Sequence, residues 1–395
     1  MPCMIKRKIE PHLKRLAKAY PVVTVTGPRQ SGKTVLVKSA FSDKPYFNLE
    51  SPEVRNRAQQ DPKRFLEALK NGAIIDEIQR VPDLLSYIQV ISDERKKSGL
   101  FILTGSSQFE LMQNVSQSLA GRTALLRLLP FEYEEIKTGY GKIKSTDSLL
   151  QKGFYPRIYD KRLNPYEAMS FYVHTYVERD VRNLLQVKDL SRFEKFMHLC
   201  AARTGQILNL SSLGNDCGIN HNTAGSWLAI LEASYIIFTV KPHFNNYSKR
   251  LVKAPKIYFY DTGLLCYLLG IQDAGQLKNH PLRGSIFETF VTADILKQRF
   301  NSVQDNNLYY FRDNIGNEVD LILDYSDKVL PVEIKSGETF SDDMFKGLSY
   351  YDKLAKGKYK NKPVLVYGGK KSFDYKNFRV MSFDDFNTLR GNPRL

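Results

Sequence analysis

The sequence predicts a multidomain α/β protein: a parallel-sheet core around a phosphate-binding loop, a helical middle with winged-helix order, and a second α/β region towards the C-terminus. Three observations carry this. Gly27-Pro28-Arg29-Gln30-Ser31-Gly32-Lys33-Thr34 fits G-x-x-x-x-G-K-[ST] at every fixed position, after a strand-like run at 22–26 and before a helix opening at Val35. Helix signals from Phe193 onward give way to hairpin signals before Lys256. Farther on, two strand patterns carry Asp320 and Glu333-x-Lys335.

The chain of 395 residues has room for two to three cores, and the patterns divide it at 1–140, 141–190, 191–256 and 257–395. At 42% hydrophobic and 25% charged, its composition is that of a globular protein. Lys6, Arg7, Lys8, Lys14, Arg15 and Lys18 interrupt any signal-peptide core, and no apolar run approaches the ~18 residues a membrane span needs. A cytoplasmic location is the expectation, with no membrane partner. Cys3, Cys200, Cys217 and Cys266 form no C-x-x-C pair and the six histidines are scattered, so neither a zinc nor a disulfide framework is expected. The net charge of +16 is uneven: +7 over residues 1–140, +8 over 141–260 and +1 over 261–395. That basic excess is expected to face an anionic partner, most simply DNA, through residues 1–260; general solubility is the plainer reading.

Taken in order, residues 5–20 alternate basic and apolar positions at near-helical spacing and predict an amphipathic helix on the sheet. The Gly27–Thr34 loop then wraps phosphates with backbone N–H groups at a helix N-terminus, where the dipole favours anions. Lys33 is expected to reach the β- and γ-phosphates of ATP, and Thr34 to hold Mg²⁺. Ile74-Ile75-Asp76-Glu77 is a strand ending in two carboxylates: Asp76 for the Mg²⁺ shell, Glu77 to polarise the attacking water. A third strand, 100–104, runs into Gly105-Ser106-Ser107-Gln108. Ser106 is the preferred γ-phosphate sensor, with Thr104 and Gln108 as rivals. Arg122, in Ala120-Gly121-Arg122, is a candidate arginine finger for its own or a neighbouring subunit; the latter would require a homo-oligomer. A surface ion pair is its plainer reading.

In the middle, helices around Leu199 and Leu210, a turn at Gly218-Ile219-Asn220, a helix from His221 to Leu231 and a hairpin follow in winged-helix order. The second helix carries Asn220, His221, Asn222, Thr223 and Ser226 but no lysine or arginine. Lys241, Lys249, Arg250, Lys253 and Lys256 of the wing region supply the cations instead, a surface suited to phosphates rather than base edges.

In the last region, 284–291 reads as an amphipathic helix with one acid, Glu288. Strand alternation puts Glu333 and Lys335 on one face, and pairing of the two strands would bring Asp320 to them. Carboxylates suit a hard cation such as Mg²⁺, which Asp320 and Glu333 would hold, with Lys335 lowering the pKa of the attacking water or steadying the transition-state charge and Glu288 approaching from the helix. A solvated strand edge is the plainer reading.

The order phosphate loop, Ile-Ile-Asp-Glu-Ile-Gln, Leu-Thr-Gly-Ser-Ser and Leu-Ala-Gly-Arg resembles the AAA+-like ATPase domain of a large prokaryotic family of predicted ATPases fused to a C-terminal domain of unknown function. Phe154-Tyr155-Pro156-Arg157, Tyr176-Val177-Glu178-Arg179-Asp180-Val181 and Tyr260-Asp261-Thr262-Gly263-Leu264 extend that resemblance over nearly the whole chain. It implies that 141–190 forms a lid over nucleotide, with Arg157, Arg179 and Arg182 as candidate sensors. Asp320, Glu333-x-Lys335 and Glu288 resemble the PD-(D/E)xK nucleases, which implies a restriction-endonuclease-like C-terminal fold. The combined expectation is an Mg²⁺-dependent ATPase coupling nucleotide state to DNA binding and metal-dependent cleavage. The alternatives are a non-catalytic ATP-controlled regulator, with the C-terminal region as a binding module, and a protein-remodelling ATPase.

Overall fold

The computed structural model describes residues 5–106, 119–141, 143–177, 190–243, 253–355 and 362–390. Five parallel strands form the first sheet: β1 (Val22–Thr26), β2 (Tyr46–Asn48), β3 (Ala73–Asp76), β4 (Phe101–Gly105) and β5 (Thr123–Arg127), ordered β2-β3-β4-β1-β5. β1, β3 and β4 are buried at every position, because helices cover both faces of a parallel sheet. Leu13 and Leu16 of α1 (Glu10–Ala19) and Leu36 and Val37 of α2 (Lys33–Ala40) pack with Val23, Val25 and Ile102 on one face. Leu84, Leu85 and Ile88 of α3 (Leu84–Arg95) pack with Ile75, Phe101 and Leu103 on the other. The N-terminal helix is shorter than its periodicity suggests. It starts at Glu10 with Pro11 in the first turn, where a missing N–H breaks no helical bond, and Arg7 ahead of it is buried.

The second sheet is mixed and eight-stranded, ordered β12-β13-β11-β10-β9-β8-β6-β7. Its strands are β6 (Ile237–Pro242), β7 (Lys256–Phe259), β8 (Leu308–Arg312), β9 (Glu318–Asp324), β10 (Val329–Lys335), β11 (Val364–Tyr367), β12 (Phe373–Tyr375) and β13 (Phe378–Ser382). Between β5 and β6 the chain forms α4 (Tyr133–Tyr140), α5 (Pro156–Asp160), α6 (Leu190–Ala202), α7 (Leu210–Cys217) and α8 (His221–Ala233), among other helices, and α9 (Arg283–Asn301) lies between β7 and β8 in sequence.

The middle keeps the predicted order of helices and hairpin. Asn209 and Asn220 accept the Ser212 and Thr223 N–H bonds that cap α7 and α8, and Gly218 ends α7 at φ +69. The hairpin, however, is not a free wing. β6 pairs antiparallel with β7 and parallel with β8, so both strands continue the C-terminal sheet, and the expected break after 256 falls inside β7.

Helix α9 continues ten residues past the 284–291 segment that the sequence marks as amphipathic. In that extension Asp294 and Lys297 are as buried as Phe287 and Val291. The reason is that α9 is covered on more than one side. Tyr133 N–H donates to Asp294 (2.7 Å), Lys297 to the Phe131 carbonyl (3.1 Å), and Asn301 to Glu132 (2.7 Å), while other turns of α9 pack on β7 and β10. One buried helix thus joins the first α/β unit to the second sheet. Cys200, Cys217 and Cys266 are buried free thiols. Among the described residues no helix is long and apolar enough to cross a membrane.

Candidate nucleotide site and C-terminal acid cluster

The sheet order places β4 between β1 and β3, so the segments that follow these strands open on one edge. Gly27 leaves β1 at φ +149 against the Leu128 carbonyl, where a Cβ would come within 2.0 Å. Gly32 takes φ +94 as the N-cap of α2. Both positions exclude a side chain for backbone reasons, and together they turn the loop so that α2 begins at Lys33. Lys33 is buried, its ammonium bonded to the carbonyls of Gly27 (2.9 Å) and Pro28 (2.8 Å). Ser31 Oγ is buried with no protein partner. Arg29 lies toward Glu50 at 3.7 Å, with Arg80 on the same carboxylate, and Gln30 adopts φ +60 in the bend of the loop.

Asp76 ends β3 beneath the loop as a hub of hydroxyls. Thr34 donates to its Oδ2 at 2.8 Å and Tyr46 to the same oxygen at 2.6 Å, while Thr104 donates to Oδ1. Burial and the Asp76 charge push the Tyr46 hydroxyl far above its ordinary pKa, which keeps it a donor. Glu77, the next residue, stands in the left-handed region at φ +57 and ψ +48. Ser106, just past β4, donates to Glu77 Oε2 at 3.0 Å, and the Gln79 amide donates to both Glu77 (2.5 Å) and Ser106 (3.2 Å). The structure therefore brings Lys33, Thr34, Asp76, Glu77, Thr104 and Ser106 together; Gln108 lies outside the described residues.

Arg122 stands apart. It precedes Thr123, which pairs with Val22 at the start of β1, so it lies at the opposite edge of the sheet, roughly 16 Å from the loop at ~3.3 Å per residue. There it makes a two-pronged ion pair with Asp93 at 2.6 and 2.9 Å, its plainer reading. Of the three lid arginines, Arg157 is exposed on α5, and Arg179 and Arg182 lie outside the described residues.

Four contributors escaped sequence reasoning. Arg7 donates to the Ser31 carbonyl (2.7 Å) and the Leu129 carbonyl (2.7 Å) while pairing with Glu135 (3.1 Å). Tyr235 meets Thr26, the residue before the loop, at 2.9 Å. Tyr46 and Gln79 complete the set; only Gln79, two residues after Glu77, had a local signal. Beside Gly32 a cleft of about 290 Å³ is lined by Ile5, Val35, Leu36, Phe131, Pro156 and Asp160, among others.

The C-terminal cluster forms where the alternation argument put it. β9 and β10 pair antiparallel with Leu321 opposite Val332, and Asp320 Oδ2 accepts the Ile334 N–H at 2.8 Å. Lys335 spans Glu333 (2.6 Å) and Asp320 (3.5 Å). From β7, Lys256 reaches Glu318 (2.5 Å), Glu288 (3.3 Å) and Asp320 (3.9 Å), and Tyr258 donates to Glu288 at 2.6 Å. Burial lifts the Glu288 carboxyl to about 7, with Lys256 opposing and the Asp320 charge adding to the rise. Burial, then the Asp320 charge, lifts Glu333 to about 8 in spite of Lys335.

Two readings change here. Lys256 was counted among the wing cations for phosphate, but it is 2% exposed and spent on three carboxylates. Lys241 and Lys253 remain exposed; Lys249 and Arg250 lie outside the described residues. Asp320 and Glu333 were expected to hold a metal, yet ammonium groups occupy the gaps between the acids. Among the described residues no group of three or more His, Cys, Asp or Glu is arranged to hold a metal ion. As folded, these acids are paired with Lys256 and Lys335. Alongside it, Lys256, Arg312, Glu318 and the backbone of Gly205 and Gly316 border a cleft of about 760 Å³.

Comparison with known proteins agrees with the first half of this picture. Residues 19–137 match the family described as an AAA domain, and residues 143–275 and 283–386 match two domains of unknown function. An uncharacterized protein of Mycobacterium tuberculosis is 32% identical over 85% of this chain and 76% of its own length, and one from Mycobacterium bovis matches equally. An uncharacterized protein of Methanocaldococcus jannaschii is 23% identical over 76% of this chain and 72% of its own. Among solved structures, a Walker-type ATPase of Pyrococcus abyssi aligns at TM-score 0.46 and 13% identity, over 66% of this chain and 94% of that one. AMPPCP-bound DnaA from Aquifex aeolicus aligns at 0.30 and 15%, over 57% and 85%. The AAA-domain match, laid over the loop and the Asp76 hub, supports ATP binding.

Proposed function

The chain belongs to one family with these mycobacterial proteins, and on that premise we propose that it is an Mg²⁺-dependent ATPase that uses nucleotide as a conformational signal. The observation that carries this is the convergence of Lys33, Thr34, Asp76, Glu77 and Ser106 on one sheet edge from three separate strand ends. Lys33 already lies within the loop and would exchange the Gly27 and Pro28 carbonyls for phosphate oxygens, a stronger charge-assisted bond. Thr34 and Asp76 are the residues to hold Mg²⁺; the metal would neutralise charge on the phosphates. Glu77 accepts the proton of the attacking water, and Ser106 is the hydroxyl nearest to it. The cleft beside Gly32, part apolar and bordered by α2 and α5, is the place for the nucleobase.

Signal transfer is supported by the two grips on the loop. Arg7 ties Ser31 to Glu135, and Tyr235 ties Thr26 to the start of β6. A loop that closes on phosphate pulls on both.

The test is nucleotide binding and phosphate release by the full chain and by Lys33→Ala. Loss of both in the variant supports the site; equal turnover by Lys33→Ala overturns it. Binding without turnover in the parent favours the non-catalytic regulator. A second reading, cleavage of DNA by the C-terminal region, draws on the convergence of Asp320, Glu333, Lys335 and Glu288. Cleavage that vanishes in Lys335→Ala supports it, and an inert parent on duplex, single-stranded and branched DNA removes it.

A further inference from the structure

The 3-10 turn Ile78–Arg80 follows Glu77 directly. With Glu77 at φ +57, the chain reverses as soon as it leaves β3, and the Gln79 side chain meets the Glu77 carboxylate two residues upstream. Three side chains then close a triangle. Ser106 Oγ donates to Glu77 Oε2 at 3.0 Å, Gln79 Nε2 donates to the same oxygen at 2.5 Å, and Gln79 Nε2 also donates to Ser106 Oγ at 3.2 Å. The directions follow from chemistry alone. A carboxylate only accepts, so both bonds to Glu77 run toward it. Ser106 has a single proton and has given it to Glu77, so its oxygen takes one from the amide. The amide therefore turns its nitrogen into the triangle and its oxygen out. That oxygen, Gln79 Oε1, is buried without a protein partner, a cost the chain bears to keep the nitrogen on Glu77 and Ser106.

From this geometry we propose that Gln79 is a positioning residue for ATP hydrolysis: its amide fixes the Glu77 carboxylate, the acceptor it shares with Ser106, in one arrangement. The inference rests on the ATPase reading above and adds a residue to it. Glu77 sits on a strained left-handed backbone and is held by only these two side-chain donors among the described contacts. Without the amide it keeps Ser106 alone and gains rotational freedom about the remaining bond. A general base displaced by about an ångström loses on the order of a hundredfold in rate. Phosphate and metal contacts belong to other residues, so the effect falls on turnover and not on affinity.

The experiment compares the full-length parent with Gln79→Leu, which keeps the size of the side chain and removes both donors, and with Gln79→Met as a second variant should the first fold poorly. Steady-state hydrolysis of Mg-ATP is measured beside equilibrium binding of a fluorescent ATP analogue. The expected result is a tenfold to hundredfold fall in kcat, with affinity within about twofold of the parent. In a Glu77→Gln background, single-turnover rates should show no further loss on adding Gln79→Leu, because Gln79 acts through Glu77. An unchanged kcat overturns the proposal. So does a double variant whose losses multiply, or an affinity that falls in step with kcat. A parent that binds ATP without hydrolysing it overturns the ATPase reading and this role together; a hydrolysing parent with an indifferent Gln79→Leu overturns this role alone.

Discussion

Thr34 Oγ1 donates to Asp76 Oδ2 across 2.8 Å, joining the N-terminal turn of α2 to the end of β3 over 42 positions of sequence. The bond ties the phosphate loop to the acid beneath it. It also puts a hydroxyl and a carboxylate side by side, which is the pair of oxygen ligands Mg²⁺ takes from a protein when phosphates supply others.

Thr34→Val keeps the shape of the side chain and deletes only the hydroxyl. Asp76 retains Tyr46 and Thr104 as donors, so the fold should persist, with a stability loss of about 1 kcal/mol. ATP affinity measured with Mg²⁺ should fall about tenfold or more, while affinity measured in EDTA should hardly change. Equal losses in both conditions would place Thr34 in phosphate binding alone.

What the sequence made legible in this site is what lies contiguous along it. The loop from Gly27 to Thr34 carries its own glycines, lysine and hydroxyl, and the strand before it reads as an apolar run because both its faces are covered. Asp76 and Glu77 are likewise neighbours on one strand end. Arg7, Tyr46 and Tyr235 arrive by tertiary approach and leave no local trace: nothing near Tyr235 says that its hydroxyl will lie against Thr26, 209 positions earlier. Charge was the least reliable guide. Lys256 counts as a surface cation in any tally of the sequence, and only the pairing of β6, β7 and β8 shows that it is enclosed by acids. The far end of α9 is a related case. Asp294 and Lys297 carry charge into a buried place, and only their partners Tyr133 and Phe131, more than 150 positions earlier, account for it.

Lys256 is the cation that keeps the C-terminal acids together, and its removal should be read in two ways. Lys256→Met removes the ammonium that Glu288, Glu318 and Asp320 share, leaving Lys335 on Asp320 and Arg312 on Glu318. Removing one partner from a buried ion pair costs about 3–5 kcal/mol, so the thermal midpoint should drop by several degrees. The space left among three carboxylates then suits a divalent cation. Mn²⁺ added to nucleotide-free Lys256→Met should restore part of the lost midpoint, and the same addition should leave the parent where it was. A parent stabilised by Mn²⁺ as much as the variant would mean that the acids accept metal with Lys256 in place.

Glu132 gives the junction between the two halves a pH dependence. It is buried, accepts from Asn301 on α9 at 2.7 Å, pairs with Lys8 at 2.6 Å and caps α4 with Glu135. Burial, with the charges of Asp294 and Glu135, lifts its carboxyl to about 7 against the pull of Lys8. The sign follows from proton counting. Between the ordinary carboxyl value of 4.5 and about 7 the folded chain holds a proton that the unfolded chain has released, so stability from this group falls as pH rises through that window. Above about 7 both states have lost the proton and the loss is complete. Glu132→Gln has nothing to release. Relative to the variant, the parent's thermal midpoint should therefore decline by a few degrees from pH 5 to pH 7.5 and run parallel from there to pH 9. A constant difference across the whole range would show that Glu132 is ionised in the folded chain throughout, with Lys8 outweighing its burial.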